Sequence, residues 1–344
     1  MEETTTSSQA SSLAIWATPE QAPLLSALAQ ELGASVSAAA SPVRAHGTTL
    51  ADELGATFAG DLLDLLNADA RVVLLATACD GYGDALPQAI ARAAAEGKRI
   101  ATLSPLPMPP SDAAEAWHRP IQGRVPTEAV RFGPLLRHGP AAQEAQETLV
   151  AFGEVRSAMF AGFRDPTMAG EGATGALLVD ALDLLVGVLG EAERVEAALS
   201  SSRGGPTKPN ANLSLGALTG DLTAHARFEG GAAACIMLSD RAGGWQRRAT
   251  LLGEAGRLEF GDDGHRWIDP QGKTVDSTER RAQSKAEAQD RTALDALVSF
   301  VSPLLDGRAT PPLDAQHLGP MAAAVLLSAR TGQAESPSTL RAMA

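Results

Sequence analysis

A chain of 344 residues with 44% hydrophobic content can bury two separate cores, which excludes a wholly disordered protein. A formal net charge of −13 leaves no general attraction to phosphate backbones or anionic lipid headgroups, so neither nucleic acid nor membrane is expected as a partner. Cys79 and Cys235 are far apart, and His46, His118, His138, His225, His265 and His317 show neither HxH nor HExxH spacing, so no disulfide framework and no metal site is suggested.

Residues 1–12, "MEETTTSSQASS", lack the basic start and apolar core of a signal peptide and read as a frayed tail. With no apolar run of membrane-spanning length following, a cytoplasmic protein is expected. From Leu13 to about Met108, short apolar runs alternate with helical stretches, as in a parallel sheet covered by helices. Strands are predicted at 13–17, 35–39, 72–77 and 99–103, separated by the helices "PEQAPLLSALAQELG", "TTLADELGA", "DLLDLLNAD" and "GDALPQAIARAAAEG". "VVLLATA" is apolar on both faces and reads as a central strand. "LPMPP", residues 106–110, reads as a linker, and further helices are predicted over 112–117 and 140–152.

Beyond residue 152 the period changes to two. "EVRSAMFAGF", "ERVEAALSSS", "DLTAHARFEGG", "AAACIMLSDRA", "QRRATLLGEAGRLEFG" and "HRWIDPQG" alternate as strands with one solvated face do. The helix "GALLVDALDLLVGVLG" interrupts them, and "TALDALVSFVSPLLDG" and "AQHLGPMAAAVLLSARTG" close the chain as two helices. The expected architecture is α/β: an N-terminal Rossmann-like parallel sheet over 13–110, then an α/β domain over 111–332 with a large open, mainly antiparallel sheet and C-terminal helices packing back. Residues 333–344 are expected as a tail.

The turn after the first strand is where an open α/β sheet would cradle phosphate, and it reads Ala17, Thr18, Pro19, Glu20. Pro19 has no amide hydrogen and fixes φ near −65°. Trp16 adds bulk, and the Glu20 carboxylate suits the helix dipole while repelling a phosphate. The turn therefore reads as a capped helix start after a core strand. The loop "CDGYGD" after the third strand holds two glycines, two carboxylates and the single tyrosine, at the carboxyl edge where such folds bind ligands. Loops "SSSRGGPTKPNAN" and "DRAGGWQRRA" bring Arg203, Lys208, Arg241, Arg247 and Arg248 into an acidic background, either as a basic patch or as solvated strand edges.

This order of parts resembles the Gfo/Idh/MocA oxidoreductase family. The stretches that carry the resemblance are "LADELGATFAGDLLDLLNADARVVLLATA", "AEGKRIATLSPLPM", "GALLVDALDLLVGVLG" and "DALVSFVSPLLDGRATPP" with "MAAAVLLSARTG". It implies a dinucleotide-binding turn, an acidic ribose ligand, a Glu-Lys-Pro motif and an Asp/His pair on one helix, together with a homodimer or higher oligomer formed through the faces of the large sheets. Matched position by position, the glycines fall near Ala17, Pro19 and Ala22, and the ribose acid falls at Ser41, with Arg44 three residues on. Glu-Lys-Pro becomes Leu103, Ser104 and Pro105. Serine has no readily titrating proton to stand in for the lysine. The Asp/His pair becomes Ala176 and Asp180, or in the shifted register Asp180 and Leu184. Asp180 and Asp183 are the only carboxylates of that helix and pair with a neighbouring arginine, face solvent or contact ligand.

The sequence thus predicts a non-catalytic relative of the oxidoreductases, binding a small molecule, peptide or partner protein through the old cleft or the open sheet, with no cofactor. The alternative is an NAD(P)-dependent oxidoreductase acting on a sugar or other hydroxy compound. The candidate ligand-contacting residues are Trp16, Cys79, Asp80, Tyr82, Ser104, Asp180 and Arg241.

Overall fold

In the computed structural model the described residues are 11–79, 82, 85–104, 130–164, 173–200, 215–279, 285–308, 310–311 and 313–343. Two sheets organise them. The first is built from β1 (Ser12–Trp16), β2 (Ser35–Ala40), β3 (Thr57–Phe58), β4 (Val72–Leu75), β5 (Arg99–Thr102) and β6 (Val130–Phe132), all parallel, in the order β3-β2-β1-β4-β5-β6. Helices α1 (Ala22–Glu31), α2 (Arg44–Leu54), α3 (Leu62–Asn67) and α4 (Ala85–Ala95) connect its strands. Local chemistry fixes their ends. Asp61 accepts the Asp64 amide at 2.8 Å to start α3, and Gly55 ends α2 in the left-handed region at φ 62°.

The period-2 rule decides which face each strand residue takes. Leu13 and Ile15 of β1 join Leu25 and Leu28 of α1 in one core, and Trp16 and Ala14 join Leu62, Leu65, Leu86 and Ile90 of α3 and α4 in another. The first core is closed from the far end of the chain by Leu294, Leu297, Val301, Leu304 and Leu305 of α8 (Lys285–Leu305).

The second sheet holds β7 (Val155–Phe163), β8 (Ala192–Ser200), β9 (Asp221–Phe228), β10 (Ala233–Ser239), β11 (Gln246–Gly253), β12 (Gly256–Gly261), β13 (Gly264–Ile268) and β14 (Thr274–Glu279), in the order β14-β13-β12-β11-β7-β10-β9-β8. All its pairings are antiparallel except β7 with β10. One face is covered by α7 (Ala173–Leu189) and α9 (Ala315–Thr331), which pack Leu177, Leu182, Leu185, Met321 and Val325 against Phe160, Ile236, Leu251 and Phe260. Two short helices, α5 (Pro140–Glu144) and α6 (Gln146–Phe152), lead from the first sheet into the second.

The parallel sheet and the open, mainly antiparallel sheet are those read from the sequence. Three details differ. The parallel sheet takes a sixth strand from residues beyond 110, because β5 still has an open edge that β6 pairs with. The strand β14 escaped detection because all six of its residues are exposed, so it has no apolar alternation. Residues 333–344 were expected as a tail, but Glu335 bridges to Val195 and α10 (Pro337–Met343) follows. The linker 106–110 and the helix at 112–117 lie outside the described residues.

Candidate functional site

The strand order reverses between β1 and β4, and the crevice outside their carboxyl ends is where doubly wound sheets place ligands. Four side chains build its floor and the core directly beneath it. Gln21 Oε1 accepts the Thr18 amide at 3.0 Å while its Nε2 donates to Ala76 O at 3.0 Å, so one buried amide stitches the β1 turn to the end of β4. The Trp16 indole, 2% exposed, donates to Ala78 O at 3.0 Å and meets the Tyr82 ring edge-on at 6.2 Å. Tyr82 accepts the Leu62 amide at 3.3 Å, and burial pushes its phenol upward. Cys79 is buried and donates to Thr77 O at 3.6 Å. Trp16 and Cys79 therefore lie within the core beneath the crevice. Asp80 lies outside the described residues.

The turn itself closes on its own amides. Ala17 N donates to Ala40 O, Thr18 N is taken by Gln21 and Pro19 has none. The exposed Glu20 carboxylate is held below its usual range by the Thr18 hydroxyl and the Glu20 backbone amide. Residues 17–19 thus offer a pyrophosphate no free amide. The sheet edge on either side is different. Ser41 Oγ after β2 and Ser104 Oγ after β5 are buried and have no hydrogen-bond partner among the described residues. Such hydroxyls normally find one. At the carboxyl edge of such a sheet, two hydroxyls of this kind are groups that the hydroxyls or amide of a polar ligand would satisfy. Arg44 is the exposed first residue of α2 rather than a loop residue.

A second constellation lies where the chain passes from β6 into the second domain. Asp180 on α7 is 1% exposed and accepts the Leu136 amide at 2.7 Å and Arg247 Nη1 at 2.9 Å. Arg247 on β11 also donates to Pro134 O and makes a two-pronged pair with Asp262. Burial opposes its charge, but Asp262 and Asp180 outweigh that and hold the guanidinium above its usual range. Burial pushes Asp180 upward against the pull of Arg247. Trp245 donates to Asp262 at 2.8 Å and packs on Ala293 and Ala296 of α8. Both Arg247 and Arg164 stack on its ring, at 4.9 and 4.5 Å.

Asp183, one turn beyond Asp180, is buried and takes two hydrogen bonds from Arg137 at 2.9 Å. His138 approaches it at 3.9 Å, and burial lowers the imidazole's affinity for a proton. The two helix carboxylates therefore meet neighbouring arginines. Of the two readings of these arginines, a basic patch does not form among the described residues: Arg247 is buried, exposed Arg241 lies 3.3 Å from Asp240, and exposed Arg248 pairs with Asp263 at 2.8 Å. Arg203, Lys208, Pro105 and His118 lie outside the described residues.

Sequence reasoning missed Gln21, Arg164, Trp245 and Asp262. Gln21 carried a signal, since Thr-x-x-Gln at a helix start is a capping-box spacing. The other three become neighbours only when β7, β11 and β12 pair.

No protein-family model matches the chain, and no curated protein sequence matches it. Solved structures do. An oxidoreductase from Agrobacterium radiobacter, in complex with NAD+, L-tartaric acid and magnesium, superposes with TM-score 0.67 at 16% identity, over 96% of this chain and 99% of the other. The scyllo-inositol dehydrogenase of Lactobacillus casei gives 0.67 at 15% identity, over 96% and 98%. A levoglucosan dehydrogenase in complex with NADH and levoglucosan gives 0.63 at 16% identity, over 95% and 99%. The expectation of a fold without a cofactor is corrected by these structures, in which the same fold, matched over nearly the whole length of this chain, is in complex with NAD+ or NADH. The expectation rested on the missing glycine turn, ribose acid, lysine and Asp/His pair, each read at a single matched position, whereas the crevice is formed by the whole carboxyl edge of the sheet. This chain has the fold of these oxidoreductases, two of them in complex with NAD+ or NADH.

Proposed function

We propose that the chain binds a nicotinamide dinucleotide across the β1/β4 crevice and acts on a small hydroxylated compound held between that crevice and the second sheet. The observation that carries this reading is the pair of buried, partnerless hydroxyls, Ser41 and Ser104, on the carboxyl edge of a sheet whose fold is shared with NAD-bound dehydrogenases. The bound nicotinamide would supply or accept hydride. Ser104 would hydrogen-bond at the reacting end without moving a proton of its own near neutrality. Asp180 is the carboxylate nearest in role to a base, since burial raises its affinity for a proton. To act, it must exchange its bond from Arg247 for one from the substrate hydroxyl.

A second reading, binding of cofactor and ligand without turnover, is favoured by the same Asp180. Both of its oxygens are engaged, and serine stands where the resembled family has lysine. Calorimetric titration with NAD, NADH, NADP and NADPH tests both. Micromolar binding of one of them, about −8 kcal/mol, is expected. Absence of binding by all four overturns both readings. Binding without change in nicotinamide absorbance across a panel of polyols, sugars and hydroxy acids favours the second.

The assembly that goes with this reading is a homodimer through the uncovered face of the second sheet, where Met159, Met237 and Leu252 of the adjacent strands β7, β10 and β11 are exposed.

A further inference from the structure

The junction cluster contains two buried guanidinium groups but gives its carboxylates to one of them. Arg247 takes both Asp180 and Asp262. Arg164, which follows β7 and is 4% exposed, has no carboxylate at ion-pair distance among the described residues, and its Nε has no hydrogen-bond partner. Its backbone is anchored to Ser239 O at 3.0 Å and its guanidinium carbon lies 4.5 Å over the Trp245 ring. Stacking on an aromatic face stabilises the positive charge but leaves the in-plane N–H donors unused. Burial, with Arg247 adding repulsion, brings this guanidinium down to about 10, so it remains charged at neutral pH. A buried cation whose Nε–H is unpartnered presents the edge of a planar fork on which a carboxylate, using the neighbouring Nη as its second donor, can be received.

Position gives this vacancy in the bonding pattern a use. Arg164 shares the Trp245 ring with Arg247, which is hydrogen-bonded to Asp180, so the group lies one side chain away from the carboxylate considered above as the base. Trp245, which carries the stack, is wedged against α8, the helix that also closes the core of the parallel sheet.

We propose that Arg164 is an anion subsite that receives a carboxylate of the substrate, which makes the substrate class a hydroxy acid rather than a neutral polyol or sugar. The assignment rests on the oxidoreductase reading only for the word substrate; the subsite itself is a property of Arg164, Trp245 and Arg247.

The test is the arginine Nε–Hε NMR spectrum of the protein without nicotinamide, titrated with sodium formate, with formamide as a neutral isostere and sodium chloride as an anion of other shape. A saturable shift of the Arg164 resonance with formate, absent with formamide and weaker with chloride, is the expected result. Arg164→Lys removes that resonance and keeps the charge, and the Arg247 resonance, which reports that the cluster is still folded, should then stop responding to formate. No saturable shift, or equal shifts with formamide or chloride, overturns the proposal. A second arm compares thermal stabilisation by gluconate and by glucitol, which differ in one terminal carboxylate. Arg164→Gln should weaken gluconate at least tenfold and leave glucitol unchanged; equal effects on both overturn the assignment. Neither arm contains a nicotinamide. Failure of nicotinamide binding therefore sinks the oxidoreductase reading alone, and a flat formate titration sinks the subsite alone.

Discussion

Asp180 and Asp263 show how burial sets the worth of an ion pair. Asp263 pairs with Arg248 with both side chains about half exposed, where solvent screens the attraction, whereas Asp180 meets Arg247 with both essentially sealed from water. Removing the buried acid leaves an uncompensated charge and strands the Leu136 amide. Asp180→Ala should therefore cost about 3–5 kcal/mol in urea unfolding, and Asp263→Ala no more than about 1 kcal/mol. His138 supplies the pH dependence. Burial depresses its proton affinity in the fold, so the unfolded chain takes up the proton first as pH falls. The stability that depends on neutral His138 is present above its ordinary value near 6.5 and is lost as pH drops below it. Melting curves between about pH 8 and 5 should show a steeper decline for the native protein than for His138→Gln, and parallel curves would remove histidine as the cause. None of these partners was visible in the sequence, since Asp180 and Arg247 are 67 residues apart.

At the scale of elements, α7 and the β1 turn carry the constraints that hold the site. A Cβ on Gly175 would lie 1.8 Å from Leu215 O, so the glycine lets the start of α7 press against the backbone that precedes β9. Helix propensity alone would make Gly175→Ala stabilising by about 1 kcal/mol. Overpacking should reverse the sign, with a loss of about 1–3 kcal/mol by thermal denaturation, and a gain would show that the contact relaxes freely. Gln21 plays the corresponding part at the crevice. Gln21→Ala should cost about 1–3 kcal/mol, because the Thr18 amide and Ala76 carbonyl lose their partner in a buried place, and hydrogen exchange at Thr18 should rise with it. Most elements were legible as elements: the apolar runs of β1 and β4, and the alternation of β7 to β12, declare themselves through burial. The exposed β14 and the helix α10 did not, because neither carries an apolar pattern long enough to mark it.

Across the whole molecule, α8 and α9 send the end of the chain to different places: α8 seals the parallel sheet, and α9 with α7 covers the second. Among the described residues this leaves one face of the large sheet uncovered, with Met159, Met237 and Leu252 near its centre. If that face joins two copies, Met237→Glu should halve the mass measured by light scattering; an unchanged mass would place the interface elsewhere. Among the described residues no helix is long and apolar enough to cross a membrane. The sequence by itself determined the α/β class, the two sheets and the absence of a glycine cradle, because hydrophobic period, strand propensity and turn residues act over a few neighbouring positions. Among the described residues, only tertiary packing settles that Gln21 locks the floor of the crevice, that Ser41 and Ser104 are buried without partners, and that Arg247 consumes two carboxylates while Arg164 is left with none. Those are properties of side chains brought together by β-pairing and domain packing, and their energies depend on burial, which no local pattern records.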